Sequence, residues 1–301
     1  MLILAIAILI CVLLPAFAVF SAWSARKSGR LTWLLKVIGS LGLMGFLTLI
    51  ARWDWLSIYL MYAWWALVIG AALGGLLAVR KRRWIEGETR TSLITTAIEP
   101  VISLGLLGFA SIGLFHAGAA VDLRFPLSDG RFIVGHGGNS TTLNYHNAHP
   151  TQRYALDILA LDNLGRRAAG FQPKEMEAYV IYGAPVSSPC AGNVVEARDG
   201  LPDNAIGATN TEEASGNHVV IACQGLEIVL AHFRPGSVKV APGDAVTAGQ
   251  VIGETGNSGN SSEPHLHIHA VREGTGGQGK GEAIPLTFGG VFPVRNTTID
   301  G

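Results

Sequence analysis

The hydrophobic positions of this chain form long uninterrupted stretches before about residue 122 and short, broken runs after it. Residues 1–23 carry no charge, and a helix of this length, at about 1.5 Å per residue, crosses a hydrocarbon core of roughly 30 Å. Three further apolar stretches follow. The pattern therefore predicts four membrane-spanning helices, at 1–23, 31–51, 56–79 and 100–121.

Two ionisable residues fall close to the ends of the predicted fourth helix. Glu99 and Pro100 mark its expected beginning, with residues 91–99 at the membrane interface, and His116 lies near its expected end. A proton or ion pathway needs several ionisable groups in series, whereas each end of this helix has one. We therefore expect both side chains to contact headgroups or water.

Basic residues are concentrated in two of the three loops between the predicted helices. They are Arg26, Lys27 and Arg30 in the first loop and Arg80, Lys81, Arg82, Arg83 and Arg90 in the third. The only charged residues of the second loop are Arg52 and Asp54. Because cytoplasmic loops carry the excess of Lys and Arg, the first and third loops are expected in the cytoplasm. The N-terminus and everything after residue 122 are then extracytoplasmic, in a multi-pass protein of the cell membrane.

The second part of the chain has the texture of β-structure, with turn residues at short intervals. The expected strands are 131–134, 155–160, 193–197, 218–222, 227–233, 250–254 and 265–271. One helical turn is expected near 173–177, and the polar stretch 200–216 is expected to be a long surface loop. Strands do not alternate with helices, which argues against a parallel α/β fold. We expect a four-helix membrane domain at 1–121 and a mostly-β domain at 122–301.

The formal net charge of zero hides a difference between the two parts. Residues 1–120 contain ten Lys and Arg against four Asp and Glu, whereas residues 121–301 contain twelve against eighteen and eight of the nine His. A mean hydropathy of +0.35 excludes a disordered chain. No basic patch indicates a nucleic-acid partner, and three Cys are too few for a disulfide scaffold or a cysteine zinc cluster.

Candidate chemistry is concentrated at residues 256–269, which read Gly-Asn-Ser-Gly-Asn-Ser-Ser-Glu-Pro-His-Leu-His-Ile-His. Side chains at alternate positions of a strand share one face, so His265, His267 and His269 point the same way. Two imidazoles about 6.6–7 Å apart along a strand can serve one site, one on a metal and one beside its bound water. Taken alone, the motif fits a solvated strand face equally well.

Two other stretches supply residues of the same chemical kind. Residues 229–233 read Val-Leu-Ala-His-Phe and end an apolar strand, and residues 144–157 contribute two His and one Asp. Together with 256–267, and with the runs at 184–195 and 216–221, these motifs resemble the zinc metallopeptidase family M23, typified by lysostaphin and LytM. The resemblance extends from about residue 125 to 271.

The resemblance implies a fold and a set of site residues. The fold is an antiparallel sheet of the LytM type, a barrel-sandwich hybrid, with one Zn²⁺ per domain. His146, Asp157 and His267 correspond to the metal ligands, and His232 and His265 to the two catalytic imidazoles beside the metal-bound water. A His₂Asp set leaves the fourth position of tetrahedral zinc open for water, whose pKa the metal lowers to about 7. The sequence does not show which of His232 and His265 accepts the proton of the water and which one stabilises the oxyanion.

The first ligand departs from the usual spacing of the family, His-x₃-Asp, because position 153 is Arg. His146 and His149 lie eleven and eight residues before Asp157. The Asn-x-His element at 144–146 resembles a branch of the family with a longer intervening loop. His146 is therefore the preferred ligand, with His149 as the alternative.

The remaining His and Cys residues have simpler interpretations. His136 lies between Gly residues and is expected in a turn, and His218 is expected to pack within or beside a strand. His269 is expected at an exposed strand position, with a place behind the metal ligands as the alternative. Cys190 and Cys223 lie near the ends of strands that are expected to be neighbours. Because the domain is expected in an oxidising compartment, we predict a disulfide between them.

The resemblance implies a membrane-anchored zinc endopeptidase that cleaves peptides of cell-wall peptidoglycan, with the lipid bilayer as its other partner. One alternative is a non-catalytic module of the same fold that regulates another cell-wall hydrolase. The motifs do not identify any protein that would regulate this one. A lipoyl-type carrier is disfavoured because Lys239 precedes the turn at 242–244 instead of occupying it. A transporter is disfavoured because the predicted helices lack paired polar residues.

Overall fold

The structure is a computed structural model that describes residues 2–272 and 281–301. The described residues form two compact units that divide between Ile112 and Gly113. The first unit is helical and the second is mostly β. Each unit is built around its own packed interior.

The first unit contains the helices that the apolar stretches predict. They are α1 (Leu2–Lys27, with a π-helical turn at Leu9–Leu13), α2 (Arg30–Ile50), α3 (Ile58–Val79) and α4 (Arg90–Ser111). Among the described residues, these four helices are long and apolar enough to cross a membrane, by length and composition. The prediction of four apolar helices is confirmed.

The limits predicted for the fourth helix, 100–121, are wrong at both ends. The helix begins at Arg90, because Thr89 and Ser92 form a capping box in which each side chain accepts a hydrogen bond from the other residue's backbone N–H. Pro100 lies inside the helix instead of starting it, and the helix ends at Ser111. The stretch expected at the interface, 91–99, is therefore its first half.

Glu99 consequently lies within α4 and not at a helix end, which corrects the expectation for this residue. Its Oε2 accepts a hydrogen bond from Ser21 Oγ of α1 at 2.7 Å. A Cβ on Gly39 of α2 would lie only 2.7 Å from Glu99 Cγ, so the absence of a side chain there allows close approach. His116 lies beyond α4, in the second unit, where its ring packs against Phe292 at 4.9 Å.

The second unit has thirteen strands among its described residues. They are β1 (Val121–Leu123), β2 (Arg131–His136), β3 (Leu156–Leu161), β4 (Pro185–Ser187), β5 (Gly192–Arg198), β6 (Asn217–Cys223), β7 (Leu226–Phe233), β8 (Ala245–Val246), β9 (Val251–Glu254), β10 (Leu266–Arg272), β11 (Ala283–Ile284), β12 (Leu286–Phe288) and β13 (Thr298–Asp300). The main sheet has the order β13-β2-β3-β10-β7-β6-β5-β8, with β11 beside β10, and its pairs are antiparallel. The mostly-β antiparallel fold is confirmed.

All seven strands predicted from the sequence occur within one or two residues of their expected limits. The strands that the sequence did not indicate are two or three residues long, too short to show alternation. The helical turn expected near 173–177 is the 3₁₀ turn Met176–Ala178. Two further 3₁₀ turns, Tyr145–Ala148 and Pro150–Gln152, were not predicted, and the first of them carries a candidate ligand.

One face of the main sheet forms the apolar core. Alternate residues of three central strands pack into one cluster: Leu156, Ile158 and Ala160 of β3, Ile228 and Leu230 of β7, and Leu266, Ile268 and Ala270 of β10. Because a slip by one residue would turn these side chains away from the core, the core fixes the register. The intervening residues of β3 and β10, which include Asp157, His267 and His269, therefore share the opposite face.

The predicted disulfide is present. Cys190, before β5, is joined to Cys223, at the end of β6, and the two are 33 residues apart. A cross-link of this kind typically stabilises a domain by about 2–4 kcal/mol. Cys11 is a buried free thiol in α1.

Candidate metal and catalytic site

The site is built around β10, which lies between β3 and β7 in the main sheet. In the antiparallel register, His267 of β10 stands directly opposite Asp157 of β3 and opposite Ala231 of β7. Residues from three strands that are distant in the sequence therefore meet at one point of the sheet face that lies opposite the core.

Three of the predicted site residues converge on a single oxygen atom. His146 Nε2 lies 2.9 Å from Asp157 Oδ1, and His267 Nδ1 lies 3.0 Å from the same oxygen. Each of the three residues is only 4% exposed. Their potential ligand atoms lie within 4.8 Å of one another, so one metal ion fits between them. These are the three residues that the sequence analysis proposed as metal ligands.

His146 reaches Asp157 from a loop and not from a strand. Asn144, which is fully buried, caps the turn Tyr145–Ala148: its Oδ1 accepts the His146 backbone N–H at 3.2 Å, and its Nδ2 donates to the Ala155 carbonyl at 2.9 Å. This amide ties both ends of the loop together. The eleven-residue spacing between His146 and Asp157 is thereby closed into a fixed geometry.

His149, the alternative first ligand, is placed differently. It is exposed and lines the rim of the cavity in front of the site, whereas His146 is buried beside the carboxylate. The possible metal-holding groups among the described residues include His146 and not His149.

His232 is brought to the same side by an irregularity in β7. Leu230 and Phe233 both belong to the core, so the residues between them, Ala231 and His232, face the cavity together. The backbone of His232 has φ +68°, a left-handed conformation that is uncommon outside glycine. Strict alternation would have turned His232 into the core with Leu230.

The ring of His232 is held by the loop that precedes β10. Its Nδ1 lies 2.8 Å from the Ser258 carbonyl, to which it donates. His265 is held in the same manner, with Nδ1 2.9 Å from the Glu263 carbonyl and 3.1 Å from Ser261 Oγ. Both rings therefore keep Nε2 for the site, where their centroids are 4.8 Å apart.

These two imidazoles and the three converging residues form one cluster. His265 Nε2 lies 3.4 Å from Asp157 Oδ1. His232, His265 and His267 also form a group whose ring nitrogens lie within 4.8 Å, so His267 belongs to both triads. The structure thus brings together all five residues that the sequence analysis selected.

Burial and mutual charge set the protonation of Asp157 and His265. Burial alone would raise the pKa of Asp157, but the charges and hydrogen bonds of His146 and His265 outweigh it and hold the pKa well below its usual value. Burial likewise acts to lower the pKa of His265, but the charge and hydrogen bond of Asp157 outweigh it and raise the pKa. The carboxylate is accordingly ionised.

Two other imidazoles of the cluster, those of His232 and His267, are pushed toward neutrality. Burial, reinforced by His146 and His265, lowers the pKa of His267 to about 4 despite its bond to Asp157. Burial and the neighbouring imidazoles also hold the pKa of His232 well below its ordinary value. A deprotonated carboxylate and a neutral imidazole are the forms that bind a metal ion.

The cavity in front of the cluster holds about 70 Å³ and opens to solvent. Its lining includes His146, His232, His267, Tyr145, Gln152 and Asn260. The cavity therefore connects the cluster with solvent.

Two supporting contacts carried no signal in the sequence. Arg167, only 1% exposed, donates from Nη2 and Nε to Glu263 Oε2 at 2.7 and 3.0 Å, across a sequence separation of 96 residues. Glu263 is the residue whose carbonyl holds His265. This buried ion pair fixes the segment immediately before the catalytic strand.

The stretch 200–216, expected as a surface loop, also supports the site. Asn204 Nδ2 donates to the carbonyls of Asn257, Gly259 and Ser261, at 3.0, 2.6 and 3.0 Å. The loop is therefore bound to the Gly-Asn-Ser-Gly segment. Its richness in Asn was the available signal, since such side chains commonly bridge backbone groups.

The structure also shows where three His residues outside the predicted site lie. His269 was expected to be exposed, but it is only 4% exposed, and its ring packs against that of His267. His136 ends β2 instead of lying in a turn, and its Nδ1 is 3.0 Å from Arg295. His218 is buried as expected, with Nε2 3.0 Å from Glu196.

A buried His₂Asp group with two further imidazoles at a cavity is the arrangement of a hydrolytic metal centre. A family model described as Peptidase family M23 matches residues 176–278, within the second unit. His232, His265 and His267 lie inside the match, while His146 and Asp157 precede it. No curated protein matches the chain.

Solved structures give distant similarities. The catalytic domain of a mutant of the prophage-encoded M23 protein EnpA from Enterococcus faecalis is 19% identical, with 56% of this chain and 91% of that chain covered and a TM-score of 0.27. Lysostaphin from Staphylococcus simulans is 19% identical, with 55% and 47% covered and a TM-score of 0.29. A chain of the SpoIIIAH and SpoIIQ complex is 18% identical, with 54% and 96% covered and a TM-score of 0.35. Similarities at this level carry no argument about activity.

Proposed function

We propose that this chain is a membrane-anchored zinc endopeptidase that hydrolyses peptide bonds of cell-wall peptidoglycan on the extracytoplasmic side of the membrane. The observation that carries the proposal is the convergence of His146, Asp157 and His267, with His232 and His265 beside them. Five side chains from four separate segments have no structural reason to bury their polar atoms together unless they share a task.

The donor set fits zinc. His146 Nε2, Asp157 Oδ1 and His267 Nδ1 are two imidazole nitrogens and one carboxylate oxygen, the ligand types that catalytic zinc sites use. The three residues are buried, and the ligand nitrogens approach one oxygen at 2.9 and 3.0 Å. Bound zinc would supply an acidic water and polarise the scissile carbonyl.

The proton transfers are assigned to His232 and His265. Each donates Nδ1–H to a backbone carbonyl, Ser258 and Glu263 respectively, and therefore leaves Nε2 for the site. His232 lines the cavity, and His265 Nε2 lies 3.4 Å from Asp157 Oδ1. A neutral Nε2 accepts a proton from the attacking water, and a protonated Nε2 donates to the oxyanion or to the leaving amine. Two rings in this orientation provide both functions without rearrangement.

The basic loops and the disulfide support the proposed location. The loops around residues 26–30 and 80–90 carry most of the positive charge of the first unit, which favours the cytoplasm for them and the opposite side for the second unit. The Cys190–Cys223 disulfide is the state expected in an oxidising compartment. Peptidoglycan as substrate comes from the family resemblance.

The test uses the full-length protein in detergent. We expect about one zinc per chain by elemental analysis, and new amino termini when purified peptidoglycan is digested. His267→Ala should lose both, whereas His265→Gln should keep the zinc and lose cleavage. His218→Ala, a buried His outside the cluster, is the matched control and should retain both.

Equal digestion by the wild type and His267→Ala would eliminate the assignment of the site. Stoichiometric zinc without cleavage of any peptidoglycan preparation would instead favour the non-catalytic module of the same fold.

A further inference from the structure

His269 is a buried imidazole to which the proposed reaction gives no role. It lies two residues beyond His267 on β10, on the same face, and is only 4% exposed. Its Nδ1 is 2.9 Å from His267 Nε2, and the two rings meet edge to face, with centroids 5.1 Å apart. The inference that follows deepens the proposed function and rests on it.

The contact constrains which nitrogen of His267 carries a proton. Nδ1 of His267 faces Asp157 Oδ1 at 3.0 Å, in the proposed metal site, and Nε2 faces His269. A neutral imidazole has one N–H, and the nitrogen that binds a metal must be unprotonated. Nε2 of His267 must therefore carry the hydrogen, and it needs an acceptor. His269 Nδ1 is positioned to be that acceptor.

In this arrangement His269 has a ring N–H that lacks a hydrogen-bond acceptor. If its Nδ1 accepts, its Nε2 carries the hydrogen, and among the described residues that buried atom has no hydrogen-bond partner. A buried donor without a partner is rare in folded proteins and calls for an explanation. A leucine would satisfy the packing without this cost, so the polar contact to His267 is the feature that the imidazole provides.

The two imidazole ligands differ in this respect. The ring nitrogen of His267 that points away from the metal site, Nε2, has a side-chain hydrogen-bond partner in His269. The corresponding nitrogen of His146, Nδ1, has no hydrogen-bond partner among the described residues. We propose that His269 is a positioning residue, which holds His267 in the Nε2–H form and in the orientation that leaves Nδ1 free to bind Zn²⁺. Residues behind metal ligands commonly act in this way.

The test compares zinc affinities of the full-length protein in detergent, measured by competition with a chromophoric chelator. His269→Leu removes the acceptor at similar size and should weaken zinc binding roughly 10- to 100-fold. His269→Asn places an amide oxygen near the position of Nδ1 and should restore the affinity to within a few-fold of the wild type. His218→Leu, in which a buried His on β6 is lost, should leave the affinity unchanged.

The outcomes separate this inference from the proposed function. Wild-type affinity in His269→Leu overturns the inference alone, and so does an equal loss in His269→Asn and His269→Leu, because an acceptor would then not be the reason. A wild type without zinc binding overturns the proposed function and this inference with it.

A second measurement does not depend on the variants folding. In the zinc-loaded wild type labelled with ¹⁵N-histidine, we expect a protonated Nε2 on His267 and an unprotonated Nδ1 on His269. The reverse tautomer at this pair overturns the inference.

Discussion

The two halves of the site are held by different means. Asp157 and His267 lie on neighbouring strands, where the apolar core behind the sheet sets their register. His146 and His265 lie outside the strands, where side-chain and backbone hydrogen bonds hold them. The positions of Asp157 and His267 can change only if the fold is lost. The positions of His146 and His265 can change while the domain stays folded. The following predictions test that difference.

The largest effect is expected for Asp157→Ala. Both imidazoles of the triad approach its Oδ1, so the change removes one ligand and the anchor of the others. Zinc affinity should fall by more than the roughly 10- to 100-fold typical of residues behind a ligand. Chelator competition measures this. Asp300→Ala, at an exposed carboxylate, is the control, and stoichiometric zinc in Asp157→Ala would contradict the assignment.

The second effect tests the core that supports the strands. Ile268→Ala empties a fully buried position between His267 and His269, and should lower the free energy of unfolding by about 2–5 kcal/mol. The protein that remains folded should bind zinc normally, because the register does not slip. Denaturant unfolding and zinc titration measure the two quantities. The exposed Val195→Ala is the control; zinc affinity that falls in parallel with stability would argue against a register set by the core.

A smaller effect is expected for Asn144→Ala, which unties the loop of His146. Loss of the capping oxygen costs about 0.5–2 kcal/mol, and the buried hydrogen bond to the Ala155 carbonyl is lost with it, so the free energy of unfolding should fall as well. Zinc affinity should fall by about tenfold, since the free energy lost acts on the position of one ligand. Asn193→Ala, at an exposed position of β5, is the comparison. Unchanged zinc affinity would show that His146 does not depend on the cap.

The smallest effect is expected for Ser261→Ala. Its Oγ lies 3.1 Å from His265 Nδ1, which keeps a second partner in the Glu263 carbonyl. The same Oγ also lies 2.7 Å from Asn257 Oδ1 and 3.0 Å from the Glu263 carbonyl, so the segment before β10 should lose some stability. Only one of the three contacts reaches His265, and its loss, worth about 0.5–1.5 kcal/mol, should reduce kcat/KM a few-fold and leave zinc affinity unchanged. Ser262→Ala, the exposed neighbour, is the control. A loss of zinc in Ser261→Ala would contradict the separation between proton transfer and metal binding.

The sequence predicted those features of the fold that follow from the local pattern of apolar and polar residues. Long apolar runs indicated four helices, and short apolar runs between turn residues indicated the seven longer strands. Alternation along the last of these strands indicated the face that His267 shares with His269. The family resemblance selected the five site residues. The beginning of α4 was missed because a capping box at Thr89 outweighed the proline signal at Pro100.

The remaining errors concern features that are not local. The side on which His232 lies depends on one left-handed residue that interrupts alternation. The burial of His269 is set by packing on the site face of the sheet, which strand alternation does not reveal. The ion pair of Arg167 and Glu263 joins residues 96 positions apart. Periodicity within a segment contains no information about such contacts.

The backbone conformation of His232 limits how an uncleaved peptide can be captured for structural work. Asn and Gly adopt positive φ readily, whereas β-branched residues resist it, so His232→Val would alter β7 as well as remove the imidazole. His232→Asn removes the imidazole, and the asparagine can adopt the positive φ that this position requires. Under the proposed function, this substitution is therefore the best way to make a catalytically silent protein with an intact cavity, and a peptide soaked into its crystals would report on the path of a substrate.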